Sequence, residues 1–223
     1  MVGEGVLHEC ILDSRVTDIL LISRKKYKTT NTKVKQLIVK ELTDVKNHLT
    51  ELAGYDACYF CMGVSSVGMK EEKYTKLTYD LTLNFAKTIV TVNKEMTFTY
   101  VSGVGTDSTE KGKSMWARVK GKTENDLIAL PFKAVFAFRP GGIKPTKGLK
   151  NTYTSYKVLA PLVSFLNWAM PKYMCSLAEI GKAMINVTEK GYHRPQIEVK
   201  DIRKLANIWN FECSEAELRN LCH

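Results

Sequence analysis

Cys58 and Cys61 are three residues apart, the spacing of a redox or metal-binding pair. They sit in an apolar run, 57–64, that reads as a strand, where residues three apart point to opposite faces; buried core thiols are the expectation. All six cysteines (Cys10, Cys58, Cys61, Cys175, Cys213 and Cys222) are expected as reduced thiols, because 223 residues bury a core without disulfide staples. His8, His48, His193 and His223 have no partners at metal-ligand spacing, which disfavours a zinc site. No Gly-x-Ser-x-Gly elbow and no Walker-type glycine-lysine loop occurs, so hydrolase and P-loop readings find no support. Asn186-Val187-Thr188 is a glycosylation sequon by pattern alone. What remains with chemical potential is Gly3 and Gly5 at the head of a helical period, and the basic run Arg24-Lys25-Lys26 just past an apolar one.

Those residues are spaced along an alternation of short β-branched runs and longer segments of helical period, the pattern of a parallel sheet covered by helices. The apolar runs 17–22, 36–40, 57–64, 97–101 and 134–138 read as strands. Segments 42–52, 72–92 and 114–130 carry apolar residues three and four apart, as in Leu77, Leu81, Phe85 and Ile89, and read as helices. Gly141-Gly142 closes the last of these strands, and 145–151 is a basic loop. Helices at 156–170 and 176–190 and a short strand at 196–199 follow, and within 143–195 they are expected to form a small cap over a substrate site. A last helix is expected over 207–223, with Ser214 as N-cap and Glu217 at the capping-box position. Val2, Val6, Leu7, Cys10 and Ile11 also suit a helix, yet no opening strand precedes it.

The chain is 44% hydrophobic and 25% charged, an ordinary globular composition, and is read as one domain. No run of 18 apolar residues exists to cross a membrane as a helix. Glu4, His8 and Glu9 interrupt any secretory leader, which gives a cytoplasmic expectation. A formal charge of +10 attracts anions in general, nucleotide phosphates included, but no basic and aromatic strip accompanies it, so nucleic acid is a disfavoured partner. A small-molecule substrate is expected, and oligomeric state is left open.

Several segments in sequence order carry a resemblance: Met1-Val2-Gly3-Glu4-Gly5, Ile22-Ser23-Arg24-Lys25, Tyr55 through Gly63, Tyr100-Val101-Ser102-Gly103, Lys120 within Val119-Lys120-Gly121-Lys122-Thr123-Glu124, and Phe138-Arg139-Pro140-Gly141. Over about residues 1–205 the chain resembles the short-chain dehydrogenase/reductase superfamily, in the extended and atypical branch of nucleoside-diphosphate-sugar epimerase-like proteins. The resemblance implies an α/β, doubly wound, mostly parallel Rossmann-like sheet with helices on both faces. It also implies a first strand leading into a Thr-Gly-x-x-Gly-x-x-Gly turn, whose glycines let backbone approach a pyrophosphate at a helix N-terminus. Gly3 matches the last of those glycines, and the strand and the earlier glycines are missing from the chain. The reading favours a start at an internal Met. It predicts an unfilled or substituted central position in the sheet, a disordered start near Gly3, and no intact pyrophosphate site.

The same resemblance assigns roles. Arg24 and Lys25 fall where an Arg accommodates a 2′-phosphate, which implies NADP in preference to NAD. Glu41 and Leu42 fall beside the adenine, Gly63 approaches the cofactor after a strand, and Pro140 is a further cofactor-binding position. Ser102 and Lys120 match the Ser and Lys of the family's Ser-Tyr-Lys set, and the Tyr position is Trp116. An indole N–H donates a hydrogen bond but does not transfer a proton near neutral pH. Tyr100, Tyr74 or Tyr79 could supply the proton instead, or a substrate could take it from water. The implied function is an NADP-dependent oxidoreductase-like or epimerase-like protein on a small carbonyl or hydroxyl substrate. The alternative is a catalytically silent dinucleotide sensor or protein-interaction module.

Overall fold

The computed structural model describes residues 1–146 and 173–208. The helices expected at 156–170 and 207–223, the latter with its Ser214 cap, and most of the 145–151 loop lie outside the described residues, apart from 207 and 208 of the last helix.

Among the described residues eight strands form in chain order: β1 (Ile19–Ser23), β2 (Val34–Ile38), β3 (Ala57–Phe60), β4 (Thr97–Val101), β5 (Ala134–Arg139), β6 (Gly142–Lys144), β7 (Met174–Ser176) and β8 (Gln196–Glu198). Every observed pairing is parallel: β1 with β2, the order β3-β4-β5-β8, and β6 with β7. Pleating sorts the side chains by parity. Ile19, Tyr59, Cys61, Val101, Phe136 and Phe138 reach one apolar cluster, while Leu20, Ile22, Cys58, Phe60, Phe98, Tyr100 and Val135 reach a second on the other face. Cys58 and Cys61 therefore serve opposite clusters as free thiols, and burial pushes the Cys61 thiol up to about 12.

Helices cover both faces. On the first cluster lie α1 (Val2–Leu12) and two later helices. On the second lie a 3-10 turn (Leu42–Asn47), α2 (Leu49–Leu52), a π-helical turn (Lys76–Asp80), α4 (Leu81–Val92) and α5 (Met115–Ile128), while α3 (Glu71–Thr75) packs against α5 and the π-helical turn. The two later helices are α6 (Leu177–Lys190), started by a Ser176/Glu179 capping box, and α7 (Val199–Ala206). This is an α/β, Rossmann-like layering. Segment 176–190 was expected in a cap. Instead, its Ile180, Ala183, Met184 and Val187 are buried in the first cluster, and α6 packs on α1 and α7.

The start of the chain departs from expectation. Val2 already belongs to α1, so the frayed segment expected near Gly3 is an ordered helix. Close packing holds it: a Cβ on Gly5 would lie 2.8 Å from Leu177 Cβ, and one on Gly181 would lie 2.6 Å from Glu9 Cγ. The expected break in the sheet is present. β1 pairs only with β2 and β3 only with β4; among the described residues no strand joins the two ladders, and β1 and β3 do not lie side by side.

Candidate functional site

Chain order reverses across that break, because β1 leads outward to β2 while β3 leads the other way to β4 and β5. In open parallel sheets such a reversal opens a crevice beyond the carboxyl ends of the strands. The sequence-derived residues gather along this rim. Arg24 and Lys25 follow β1, Glu41 and Leu42 follow β2, Gly63 follows β3, Ser102 follows β4 and Pro140 follows β5. The N-terminus of α1 joins them, since a Cβ on Gly3 would lie 3.3 Å from Cys61 Cβ, one residue past β3. No side chain caps this 11-residue helix at Met1, and the positive end of its dipole lies at this terminus. Glu4 in the first turn opposes that charge in part.

Individual placements differ in what they leave free. Arg24, Lys25 and Lys26 are exposed, and among the described residues none of their side chains makes a hydrogen bond or ion pair. Tyr27, three residues on, turns back toward α1: its backbone exchanges hydrogen bonds of 2.8 and 2.9 Å with the Gln36 side chain, and burial together with Glu4 pushes its phenol up. Gly63 faces open space, with nothing within 4 Å of where a Cβ would sit. Glu41 is committed elsewhere, capping the 3-10 turn in a reciprocal pair with Asp44. Leu42 packs into the second cluster. Pro140 is buried, and its carbonyl accepts a hydrogen bond from Val104 N at 3.0 Å.

At the β4 end, α5 presents Trp116 and Lys120 one turn apart on a shared face. The Trp116 ring covers Gly105, whose φ of +86° suits a residue without a side chain; a Cβ there would lie 3.4 Å from the ring. Lys120 Nζ donates to the Ser102 carbonyl at 2.6 Å. Burial lowers the pKa of this amine to about 8, with the nearby Glu124 pulling it upward.

Ser102 itself is spoken for. Only 7% exposed, its hydroxyl donates to Glu124 and lies 3.1 Å from the Phe138 carbonyl. Glu124 is fully buried and accepts from Arg139 Nε at 3.1 and 3.2 Å and from Arg139 Nη2. Arg139 also reaches Glu198 at 3.1 Å and Ser108 at 2.5 Å. Burial opposes its charge, yet Glu124 and Glu198 more than offset this and raise its pKa. This network ties α5 to β4, β5 and β8, and it turns the Ser102 hydroxyl away from a substrate role. Sequence reasoning missed Glu124. The available signal was an acid on the buried stripe of α5, in register with Ala117, Gly121 and Leu127.

The substitute proton donors fare no better. Tyr100 is 2% exposed, and burial drives its phenol far upward. Tyr74 is 1% exposed and likewise raised by burial. Tyr79 donates to Asp126 at 2.5 Å, which raises its pKa, under the Lys122 ammonium 5.0 Å from its ring.

No family model matches the chain. The UDP-glucose 4-epimerase of Thermotoga maritima superposes with a TM-score of 0.63 at 12% identity, over 93% of this chain and 78% of that one. MoeE5 in complex with UDP-glucose and NAD superposes at 0.58 and 10% identity, over 92% and 77%. The chain shares the fold of these solved structures. Among curated proteins, "Protein FMP52-1, mitochondrial" of Scheffersomyces stipitis is 24% identical over 224 residues, 94% of each chain. That similarity corrects the cytoplasmic expectation, since the relative's name points to the mitochondrion.

Proposed function

We propose that the chain binds a nicotinamide dinucleotide, NADP in preference to NAD, across the rim between β1 and β3, as an oxidoreductase-like or epimerase-like protein acting on a small carbonyl or hydroxyl compound. The observation that carries this reading is the convergence of three features on the chain reversal: the uncapped N-terminus of α1, the open space at Gly63 and the unengaged cations Arg24 and Lys25. A phosphate suits the first, close backbone approach the second and a 2′-phosphate the third. When bound, the cofactor would supply a hydride; Lys120 and Trp116 would line its nicotinamide end, where Lys120 offers an amine that changes charge near pH 8.

A second reading, dinucleotide binding without turnover, draws on the Ser102 hydroxyl being given to Glu124 and on Trp116 standing where a proton donor is needed. Fluorescence titration with NADPH and NADH tests the binding claim: NADPH binds at least tenfold more tightly, and no binding of either at millimolar concentration refutes both readings. Carbonyl reduction by the Trp116→Tyr variant separates the two. Turnover gained or raised in that variant supports the enzymatic reading, and none in either form supports the silent one.

A further inference from the structure

A fully buried carboxylate stands one helical turn from the Lys120 amine. Glu124 and Lys120 are four residues apart on α5. Ser102 bridges them from the end of β4: its hydroxyl donates to the Glu124 carboxylate, and its carbonyl accepts from Lys120 Nζ at 2.6 Å. Behind Glu124, Arg139 of β5 grips both carboxylate oxygens, with Nε at 3.1 and 3.2 Å and Nη2 on Oε2. Glu198 of β8 and Ser108 hold that guanidinium in turn. Burial works against a charge on Lys120, and Glu124 works for it.

The other charges on and around α5 are engaged elsewhere. Arg118 pairs with Glu71 of α3 at 2.8 Å. Lys122 and Tyr79 of the π-helical turn share Asp126, on which Lys87 of α4 also acts. In the loop after β4, Asp107 accepts from Thr109 and Gly112, and Glu110 accepts from Asn125. Tyr74 of α3 and Tyr100 of β4 adjoin the cluster as phenols whose ionisation burial pushes up, so they carry no charge at neutral pH. Glu124 is the carboxylate that answers the Lys120 ammonium.

We propose that Glu124 is a positioning residue for Lys120: clamped by Arg139 and tied to Ser102, it holds the amine at the rim as a cation at neutral pH. Lys120 then serves as a hydrogen-bond donor and a fixed positive charge, suited to a ligand oxygen that is anionic or becomes so, and not as a base. That chemical use rests on the dinucleotide reading above; the charge relation between Glu124 and Lys120 does not.

Lysine carbon-13 and nitrogen-15 side-chain shifts of the full chain test it, followed through a pH titration without cofactor. The Lys120 signal is assigned by its loss in Lys120→Met. In wild type it should titrate near pH 8. Glu124→Gln should move the midpoint down by about one pH unit, a roughly tenfold loss of proton affinity, and Glu124→Asp should bring it back toward the wild-type position. Glu124→Gln leaves the Arg139 charge buried beside a neutral amide, so the double variant Glu124→Gln/Arg139→Gln, which removes both charges, is measured alongside and should move the midpoint in the same direction. A midpoint unmoved in the folded variants, or moved as far by Glu124→Asp as by Glu124→Gln, would overturn the proposal. NADPH titration of the same samples keeps the two claims apart. A lowered midpoint without NADPH binding refutes the dinucleotide reading and upholds the role of Glu124, and NADPH binding with an unmoved midpoint does the reverse.

Discussion

Lys120 carries the most consequential charge at the residue scale. Its amine is buried against the Ser102 carbonyl and ionises near pH 8, against an ordinary lysine value of 10.5. Between pH 8 and 10.5 the unfolded chain holds this proton while the folded chain has released it, so the group's contribution to stability rises with pH across that window. Each pH unit inside it is worth about 1.4 kcal/mol. The buried thiols act in the opposite sense above pH 9, because folding raises their pKa values; Cys10 and Cys175 both reach about 12. Comparison of wild type with Lys120→Met isolates the lysine: urea unfolding at pH 8 and pH 10 should show the variant gaining about 2–3 kcal/mol less than wild type over that interval. Parallel pH profiles would contradict the placement. At the other end of the rim, Arg24→Ala should weaken NADPH binding about tenfold and leave NADH binding unchanged, the loss of one charge-assisted contact.

The site is positioned at the scale of elements by close backbone approaches. Gly121 in α5 lies against the loop after β4, where a Cβ would fall 1.8 Å from the Asp107 carbonyl oxygen. Gly121→Ala therefore displaces α5, with Trp116 and Lys120 on it, and should lower stability by about 3 kcal/mol, read as a midpoint drop of roughly 10 °C in thermal unfolding. Gly63→Ala is the counterpart. It meets open space, so stability should change by less than about 0.5 kcal/mol while NADPH affinity falls severalfold. The elements themselves were largely legible in the sequence. The strand runs at 97–101 and 134–138 and the spacing of Leu81, Phe85 and Ile89 in α4 carry strong periodic signals. β6 and β7, three residues each, are too short to show a period, and α7 starts without an N-cap of the preferred type. Periodicity located α6 and misassigned its partner, because an apolar stripe looks alike under a cap and inside a core. The Ser102, Glu124 and Arg139 network links residues 15 to 37 apart in sequence and follows from the meeting of α5, β4 and β5, which local pattern does not encode.

Among the described residues two parallel ladders share one pair of apolar clusters, and the proposed binding rim lies where they part. The helices over those clusters keep β1 and β3 in a common plane although no backbone hydrogen bond joins them among the described residues. The α1 N-terminus, Arg24 and Gly63 are proposed to line one binding rim, because each lies at a strand or helix end beside this break. The measurement that tests this most directly is amide and indole chemical-shift mapping of the full chain during NADPH titration. The account predicts shifts concentrated at Gly3, Arg24, Gly63 and Ser102 and at the Trp116 indole N–H, saturating together with one Kd. Shifts confined to residues away from this rim, or none at millimolar NADPH, would contradict it.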